Sequence, residues 1–210
     1  TSTKSKVAKI TPSTRFYLMN FESASKALED MAKNLDEKSK AKKAGLMASE
    51  MIRSHIYTGE GMPPLSAATT AYRGQGKPLQ DTGALRDSIT YELIGNNTAS
   101  VGTDKVYAPI QNNGGTITAK KNWLFIPAAG TRQLQRAYGY SPTEVLNGLK
   151  ANNYVYRVGR TICYRKRGTS EAGKVVYYLK KSVVIPKRRF FYLSDEEISQ
   201  ILSEVSNDIL

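Results

Sequence analysis

Apolar residues recur at helical spacing in the N-terminal part of the chain. They occupy every third or fourth position in residues 24–35 and again in residues 44–56, which is the spacing of residues on one face of a helix. Ser23 is a suitable N-cap residue, and Gly59 is a suitable stop at the C-terminal end. The pattern predicts a long N-terminal helix, and Gly45 is expected to bend it.

The next part of the chain changes from turn residues to an alternating pattern. Glycines and prolines interrupt residues 57–80, which predicts a loop. Residues 84–88 predict one helical turn, which we expect Asp81 to cap. Apolar and polar positions then alternate in residues 89–93, and turn residues lead into a second short strand at 98–102. This pattern predicts a β-hairpin.

The middle of the chain combines short helices with one short strand. Residues 106–112 predict a short helix, and residues 123–126 predict an apolar strand. Residues 128–153 are typical of a helical insertion. Within it, Ser141 followed by Pro142 is a strong signal for a helix start, because proline is tolerated at the first helical position and serine caps it.

Two longer apolar stretches predict strands. Tyrosines and aliphatic residues alternate with polar ones in residues 154–164 and 175–185. The charged, glycine-containing segment 167–174 lies between them, so the pair is expected to form one β-hairpin. We interpret the tyrosines of this hairpin as a buried sheet face. A stacking surface for nucleic acid and a protein–protein interface are the alternatives that the sequence leaves open.

The order of these elements predicts an α+β fold. A long N-terminal helix and a C-terminal helix are expected to pack on a largely antiparallel sheet built from hairpins, with an inserted middle segment. The C-terminal helix begins with Ser194 and Glu197, which have the spacing of a capping box. We expect residues 1–20 to form an N-terminal arm. Residues 21–210 are expected to form a single domain with an insertion at about 128–181.

Charge is distributed unevenly along the chain. The net charge is +13, and residues 157–189 hold eleven Lys and Arg against only Glu171, whereas residues 194–210 hold five acidic residues and no basic one. This asymmetry favours electrostatic matching to a partner, either DNA or an acidic protein ring, and solvated surface charge is the alternative. The candidates for an interface or a DNA-facing surface are Arg157, Arg160, Arg165, Lys166, Arg167, Lys180, Lys181, Lys187, Arg188 and Arg189.

The sequence offers few residues for catalysis or metal binding. His55 is the only histidine and Cys163 the only cysteine, which leaves no zinc ligand set. Asp81 and Asp87 are six residues apart across a turn, where a structural role is the better interpretation. We therefore expect no catalytic residue, no metal, no cofactor, no small-molecule substrate and no enzymatic activity. No stretch has the roughly 18 apolar residues that a membrane span needs, and a single thiol suits synthesis in a reducing cytoplasm.

Three stretches of the sequence together match a known pattern. Residues 78–89 read PLQDTGALRDSI, residues 101–115 read VGTDKVYAPIQNNGG and residues 185–194 read IPKRRFFYLS. In this order they resemble the phage virion morphogenesis family, which includes the Mu G-like tail-completion proteins. Gln111 and Asn112 stand where the family often has His-Gln. The positions that carry the motifs are Asp81, Thr82, Gly83, Leu85, Ser88, Tyr107, Gly114, Gly115, Pro186 and Phe191.

The resemblance implies a structural virion protein of a tailed phage. It implies a tail-completion or neck component that forms a ring, expected to be hexameric, at the head-proximal end of the tail and joins the tail to the head connector. The implied partners are further copies of the chain, the tail tube or tail terminator, head–tail connector proteins and packaged DNA in a channel. The implied location is the tail or neck of the virion, after synthesis in the host bacterial cytoplasm. A basic DNA-binding accessory protein is the alternative function.

The tip of the predicted basic hairpin is expected to lie outside the core of the fold. Arg165, Lys166 and Arg167 follow a strand whose alternation already satisfies a sheet, and the nearest acidic residue in the sequence is Glu171. Like charges this close together repel unless water or a partner compensates them. We therefore expect the tip to contact a neighbouring subunit, an acidic partner or DNA.

Overall fold

Helices and antiparallel sheets make up the chain, which confirms the predicted α+β class. The computed structural model describes residues 37–95 and 97–206. The predicted arm at residues 1–20, the Ser23 cap and the helical pattern at residues 24–35 lie outside the described residues. In chain order the described elements are α1 (Glu37–Thr58), α2 (Ala67–Arg73), α3 (Ala84–Asp87), β1 (Thr90–Ile94), β2 (Thr98–Gly102), α4 (Ala108–Asn113), β3 (Gly115–Thr118), β4 (Leu124–Pro127), α5 (Thr131–Tyr138), α6 (Pro142–Lys150), β5 (Asn153–Val158), β6 (Thr161–Lys166), β7 (Lys174–Lys180), β8 (Ser182–Ile185) and α7 (Asp195–Ser206).

The chain divides into two compact units. Unit 2 consists of Pro63–Asp81 and Gly114–Lys187, and unit 1 contains the other described residues. The described part of unit 1 holds α1, α3, α4, α7 and the β1–β2 hairpin. Unit 2 holds α2, α5, α6, a two-stranded sheet of β3 and β8, and a four-stranded sheet in the order β4-β7-β6-β5. The expected insertion, residues 128–181, lies within unit 2.

In unit 1, helix α1 packs against the β1–β2 hairpin and against α7. The hairpin is antiparallel and confirms the predicted pairing. Gly45, where the sequence predicts a bend, lies inside the helix α1, which continues through this residue. Gly45 is buried, and a Cβ atom built on it would lie 2.8 Å from both the Tyr91 ring and the Ala99 Cβ. The glycine therefore allows the hairpin to approach the helix closely.

In unit 2, the predicted loop at residues 57–80 contains the short helix α2. Ser66 caps it, since its hydroxyl accepts a hydrogen bond from the Thr69 backbone N at 3.2 Å. Both helices of the predicted insertion are confirmed as α5 and α6. The start of α6 is a complete capping box, in which Ser141 and Glu144 each accept a hydrogen bond from the other's backbone N.

The two predicted long strands are each broken in two. The first forms β5 and β6, which pair with each other around a turn at Gly159, where φ is +56°. The second breaks at Lys181, so that β7 belongs to the four-stranded sheet while β8 pairs with β3. The segment that follows β6 does connect a hairpin, since β6 and β7 pair antiparallel.

One face of the four-stranded sheet is covered by α6. Val145 and Leu149 of this helix form a buried cluster with Val176 and Tyr177 of β7. Half-buried residues of β5 and β6 pack against the same cluster. Because side chains alternate between the two faces of a strand, the neighbouring residues on β5, β6 and β7 belong to the opposite face.

Candidate interaction surface

Unit 2 carries the whole net charge of the protein. Its residues include sixteen Lys and Arg and three Asp and Glu, which gives +13, whereas the rest of the chain has fifteen of each sign. A charge of this size on one unit favours association with an anionic partner. The four-stranded sheet of this unit is therefore the first place to look for an interaction surface.

The sheet face that α6 does not cover is rich in exposed aromatic residues. Val158 pairs with Thr161 and Thr161 with Tyr178, so these three residues form a row across β5, β6 and β7. Tyr154 and Tyr156 share the face by alternation along β5. Tyr154 is 53% exposed, Val158 58% and Tyr178 44%. The prediction that the tyrosines of the hairpin form a buried face is therefore wrong for Tyr154, Tyr156 and Tyr178, although it holds for Tyr177, which is buried on the other face. We call the side with the exposed tyrosines the open face.

Two arginines lie against a tyrosine at one end of the open face. Arg165 is the cross-strand partner of Tyr154, and the Arg165 and Arg167 guanidinium carbons lie 5.7 and 5.5 Å from the centre of its ring. Arg167 also donates a hydrogen bond to the Lys150 carbonyl at the end of α6 (3.1 Å). The Tyr154 ring and the C-terminal end of α6 thus hold two exposed cations of the hairpin tip, Arg165 and Arg167, in place. We call this group the Tyr154 cluster.

A second group of the same kind surrounds Trp123. The Lys181 ammonium lies 4.3 Å from the centre of the Trp123 ring, and the Arg157 guanidinium carbon lies 5.3 Å from it. Lys181 donates to the Asn122 carbonyl at 2.8 Å, and Arg157 donates to the Gly159 carbonyl at 2.7 Å. We call this group the Trp123 cluster, and the contacts fix the positions of both cations.

The three acidic residues of unit 2 do little to neutralise these cations. Asp81 accepts a hydrogen bond from Arg132 at 2.8 Å and lies 3.9 Å from Arg73. The prediction that it caps α3 is therefore wrong. Glu144 belongs to the capping box of α6, where hydrogen bonds from the backbone and hydroxyl of Ser141 hold its pKa below the ordinary value. Glu171, in the turn after β6, is the third.

The basic candidates from the sequence fall into two groups. Eight of them lie in unit 2 and are exposed, and none of the eight forms an ion pair with a carboxylate in residues 37–95 and 97–206. Arg188 and Arg189 instead belong to unit 1. Arg188 is only 9% exposed and donates to the Gln111 side chain at 3.3 Å, so its role is internal. The eight in unit 2 are Arg157, Arg160, Arg165, Lys166, Arg167, Lys180, Lys181 and Lys187.

Removing the charge of the hairpin tip is expected to leave the fold intact. We expect the triple variant Arg165→Ala, Lys166→Ala and Arg167→Ala to keep its free energy of unfolding within about 0.5 kcal/mol of the wild-type value, as exposed sites usually do. All three side chains are exposed. Urea unfolding followed by circular dichroism measures the change. A loss of several kcal/mol would mean that the tip belongs to the core of unit 2.

The three stretches of the family resemblance are linked by hydrogen bonds within unit 1. The Ser88 hydroxyl of the first stretch lies 2.6 Å from the hydroxyl of the buried Thr103 in the second. The Asn112 side-chain oxygen accepts from the backbone N of Phe190 (3.0 Å) and of Phe191 (2.9 Å) in the third. Both phenylalanines are buried. The stretches therefore form one connected framework.

His55 connects helix α1 to the same framework. Its Nδ1 lies 3.1 Å from the Phe190 carbonyl oxygen, and its Nε2 lies 2.8 Å from a carboxylate oxygen of Glu197. The His55 ring stacks on Tyr192, with centroids 4.2 Å apart. The second oxygen of Glu197 accepts from the Ser194 backbone N at 2.8 Å, which confirms the predicted capping box of α7. A structural position for the single histidine follows from these contacts.

The other motif positions serve local turns. Thr82 accepts a hydrogen bond from the Ala84 backbone N at 3.3 Å, and Gly83 begins α3 with φ of +80°. Gly114 has φ of +72° and lies against the backbone of Lys187, where a Cβ would be 2.8 Å from the nitrogen. The remaining positions are a buried Leu85, an exposed Tyr107, and the exposed Gly115 and Pro186.

In residues 37–95 and 97–206, no group of three His, Cys, Asp or Glu residues is placed to hold a metal ion. Cys163 is buried. An open depression of about 520 Å³ in unit 1 is lined by Glu50, Arg53, Arg86 and Asp87, but its arginines already bond to protein groups. None of the helices in the described ranges is long and apolar enough to cross a bilayer.

Comparison with known proteins adds no relative. A scan of protein-family models, a search of curated proteins and a search of solved structures each found no match to this chain.

The sequence pattern missed the open face and the two aromatic rings that hold the cations. Gly159 signals part of this arrangement, because a glycine inside a strand pattern often marks a turn. A turn at Gly159 makes β5 an edge strand that pairs with β6, but the open face itself depends on α6, which covers the other face. Trp123 and Asn112 carry no comparable local signal, since their contacts lie far away in the sequence.

Proposed function

We propose that the protein is a structural component of a tailed-phage particle. In this proposal it is a tail-completion or neck protein that forms a ring at the head-proximal end of the tail and joins the tail to the head connector. The observation that carries the proposal is the bonding among the three motif stretches. Ser88 contacts Thr103, and Asn112 binds the backbone of Phe190 and Phe191. A chance likeness of three short peptides gives no reason for them to bond to one another.

The distribution of charge and of exposed aromatic residues supports a protein that acts through its surfaces. The side chains that link the motif stretches bond inside unit 1, and the eight exposed basic candidates of unit 2 have no carboxylate partner among the described residues. The proposal therefore includes no enzymatic activity and no cofactor. The proposed partners are further copies of the chain, the tail tube or tail terminator, and head–tail connector proteins.

Purified protein is expected to assemble into a closed hexameric ring, alone or on the ends of purified tails. Contacts between different patches of neighbouring subunits close into a ring when the rotation between subunits fits a whole turn. Native mass spectrometry detects such a ring as a fixed multiple of the 23.2 kDa subunit. Sedimentation velocity with and without tails measures the same assembly in solution.

The position on the particle provides the second measurement. Gold particles that carry an antibody to this chain are expected to mark the head-proximal end of tails in electron micrographs, and tails without the protein are the control. A protein that remains strictly monomeric and also fails to join tails would contradict the proposal. Labelling along the whole tail would contradict the proposed place in the particle.

A further inference from the structure

We infer that unit 2 binds the phosphate backbone of double-stranded DNA through the Tyr154 and Trp123 clusters, without reading the base sequence. This DNA binding goes beyond a structural role in a ring, and it requires only the isolated chain, without tails or other virion proteins. The binding residues are Arg165 and Arg167 of the first cluster and Arg157 and Lys181 of the second. Four steps of argument lead from these side chains to DNA.

The first step is the amount of charge. Unit 2 has a net charge of +13, and its exposed cations on β5, β6 and β7 have no carboxylate partner among the described residues. Duplex DNA carries about one negative charge per 1.7 Å of helix axis. Few other partners match a positive surface of this density.

The second step is the geometry of the four cations. Aromatic rings lie 4.3 to 5.7 Å from these cations, which is close enough to hold the cations in place. A ring contact of this kind uses none of the N–H donors in a hydrogen bond to an oxygen atom. A guanidinium has five N–H donors, of which Arg157 and Arg167 each use one in a hydrogen bond to a backbone carbonyl. Fixed cations with free donors suit phosphate oxygens.

The third step distinguishes the backbone from the bases. A stacking surface for single strands needs open aromatic faces. The rings of Tyr154 and Trp123 each have two cations at 4.3 to 5.7 Å from the ring centre, so a base that stacked on either ring would compete with these cations. In addition, the described part of unit 2 places none of its helices on the open face, where a groove-reading helix would have to lie. The arrangement therefore favours contact with phosphates over contact with bases.

The fourth step distinguishes DNA from an acidic protein. Protein interfaces are poor in lysine, whereas the strands and turns of this sheet carry Lys166, Lys174, Lys180 and Lys181, all exposed. The acidic helix α7 of a second copy is a weaker partner as well. Of its four acidic residues, Glu197 is bonded to His55 within unit 1 and Glu204 lies 3.7 Å from Lys43, so that the exposed acidic surface of the helix is reduced to Asp195 and Glu196 in its first turn.

The spacing of the clusters suits a continuous polyanion. Tyr154 and Arg157 are three residues apart on β5, which is roughly 10 Å along a strand, and their side chains point to opposite faces of the sheet. Because β5 is an edge strand, the two clusters flank this edge of the sheet. A duplex that lies along the edge presents several phosphates over this distance, so it contacts both clusters, and loss of either one weakens binding without abolishing it.

Fluorescence anisotropy with a labelled 30-base-pair duplex of arbitrary sequence tests the inference. Two double variants remove one cluster each, Arg165→Gln with Arg167→Gln and Arg157→Gln with Lys181→Gln. Each is expected to weaken binding at least about tenfold at 0.1 M salt. Each is also expected to make the salt dependence weaker, so that the magnitude of the slope of the log association constant against log salt falls by about 2, because each lost phosphate contact reduces it by about 1. A second duplex of unrelated sequence is expected to bind equally well.

A matched variant controls for the loss of charge alone. Lys38→Gln with Lys42→Gln removes two exposed charges from α1 of unit 1, and we expect its affinity and salt slope to equal those of the wild type. Unchanged urea midpoints of all variants show that the folds are intact. No binding by the wild type at 0.05 M salt, equal binding by all variants, or tighter binding of polyglutamate than of DNA would each overturn the inference. Because no tail or ring is needed, these results are independent of the assembly test.

Discussion

Replacing Asn112 by alanine is expected to lower the free energy of unfolding by about 3 kcal/mol. The Asn112 side-chain oxygen accepts hydrogen bonds from the backbone N of Phe190 and of Phe191. Both phenylalanines are buried, at 0% and 7% exposure, so the structure offers water little access to replace the lost acceptor. An unsatisfied buried donor costs about 1–3 kcal/mol, and this substitution leaves two.

Two further variants separate the acceptor from the rest of the side chain. Asn112→Asp keeps an oxygen at the same place, so it is expected to retain most of the stability that alanine loses. Asn113→Ala changes the exposed neighbour, which only accepts a hydrogen bond from Asn112, and its cost is expected to stay below about 0.5 kcal/mol. Urea unfolding curves measure all three. If Asn112→Ala and Asn113→Ala are equally stable, the framework does not depend on this acceptor.

The contacts of Asn112 and its neighbour Gln111 also show which physical interactions the second and third motif stretches make with each other. Helix α4 ends within the second stretch. In its last turn, the Gln111 carbonyl accepts a hydrogen bond from the Arg188 backbone N at 3.0 Å. Helix ends leave carbonyls without partners inside the helix, and the third stretch supplies one of them. Although this chain has Gln111 and Asn112 where the family often has His-Gln, both residues bond to the third stretch. The departure therefore changes the side chains and keeps a polar link.

Local signals allowed much of the fold to be predicted from the sequence. Ser141 with Pro142, and Ser194 with Glu197, act within one helical turn, and both caps form in the structure. The β1–β2 hairpin follows from alternation and turn residues that are close together in the chain. In each of these cases the interactions that decide the structure lie within a few residues, so the pattern alone contains them.

The errors arise where distant residues decide the outcome. The tyrosine face of β5 has the alternation of a buried strand, but α6 covers the other face of the sheet and leaves Tyr154 and Tyr178 exposed. Alternation predicts that a strand has two different faces and does not say which one is covered. Asp81 has the right residue type for a cap, yet Arg132 and Arg73 bind it from elsewhere in unit 2.

The candidate surface could be predicted only in part for the same reason. The positive charge of residues 157–189 is visible in the sequence, and eight of the ten basic candidates are exposed in unit 2. The rings that fix four of these cations come from Tyr154 and Trp123, and Trp123 lies more than thirty residues before Arg157. Pairing of an aromatic ring with a cation depends on the sheet order, which the pattern did not give.

Gly45 is the clearest case of a residue whose role depends on a distant contact, and Gly45→Val is expected to lower the free energy of unfolding of the protein by about 3 kcal/mol. A Cβ at this position would lie 2.8 Å from the Tyr91 ring and from the Ala99 Cβ, which is too close for carbon atoms. Overpacking a filled core costs about 1–3 kcal/mol or more, and valine adds two further methyl groups. The small gain in helix propensity over glycine, a few tenths of a kcal/mol, does not offset this.

The control places the same side chain on the exposed side of the same helix. Lys42→Val changes an exposed residue of α1, and the expected cost is below about 1 kcal/mol because only helix propensity changes. Thermal and urea unfolding measure both variants. If Gly45 acts as a bend or as a neutral position, Gly45→Val will be as stable as Lys42→Val or more stable. A difference of about 2 kcal/mol or more between the two variants is expected if the β1–β2 hairpin rests directly on the helix backbone at Gly45, as the short distances to Tyr91 and Ala99 indicate.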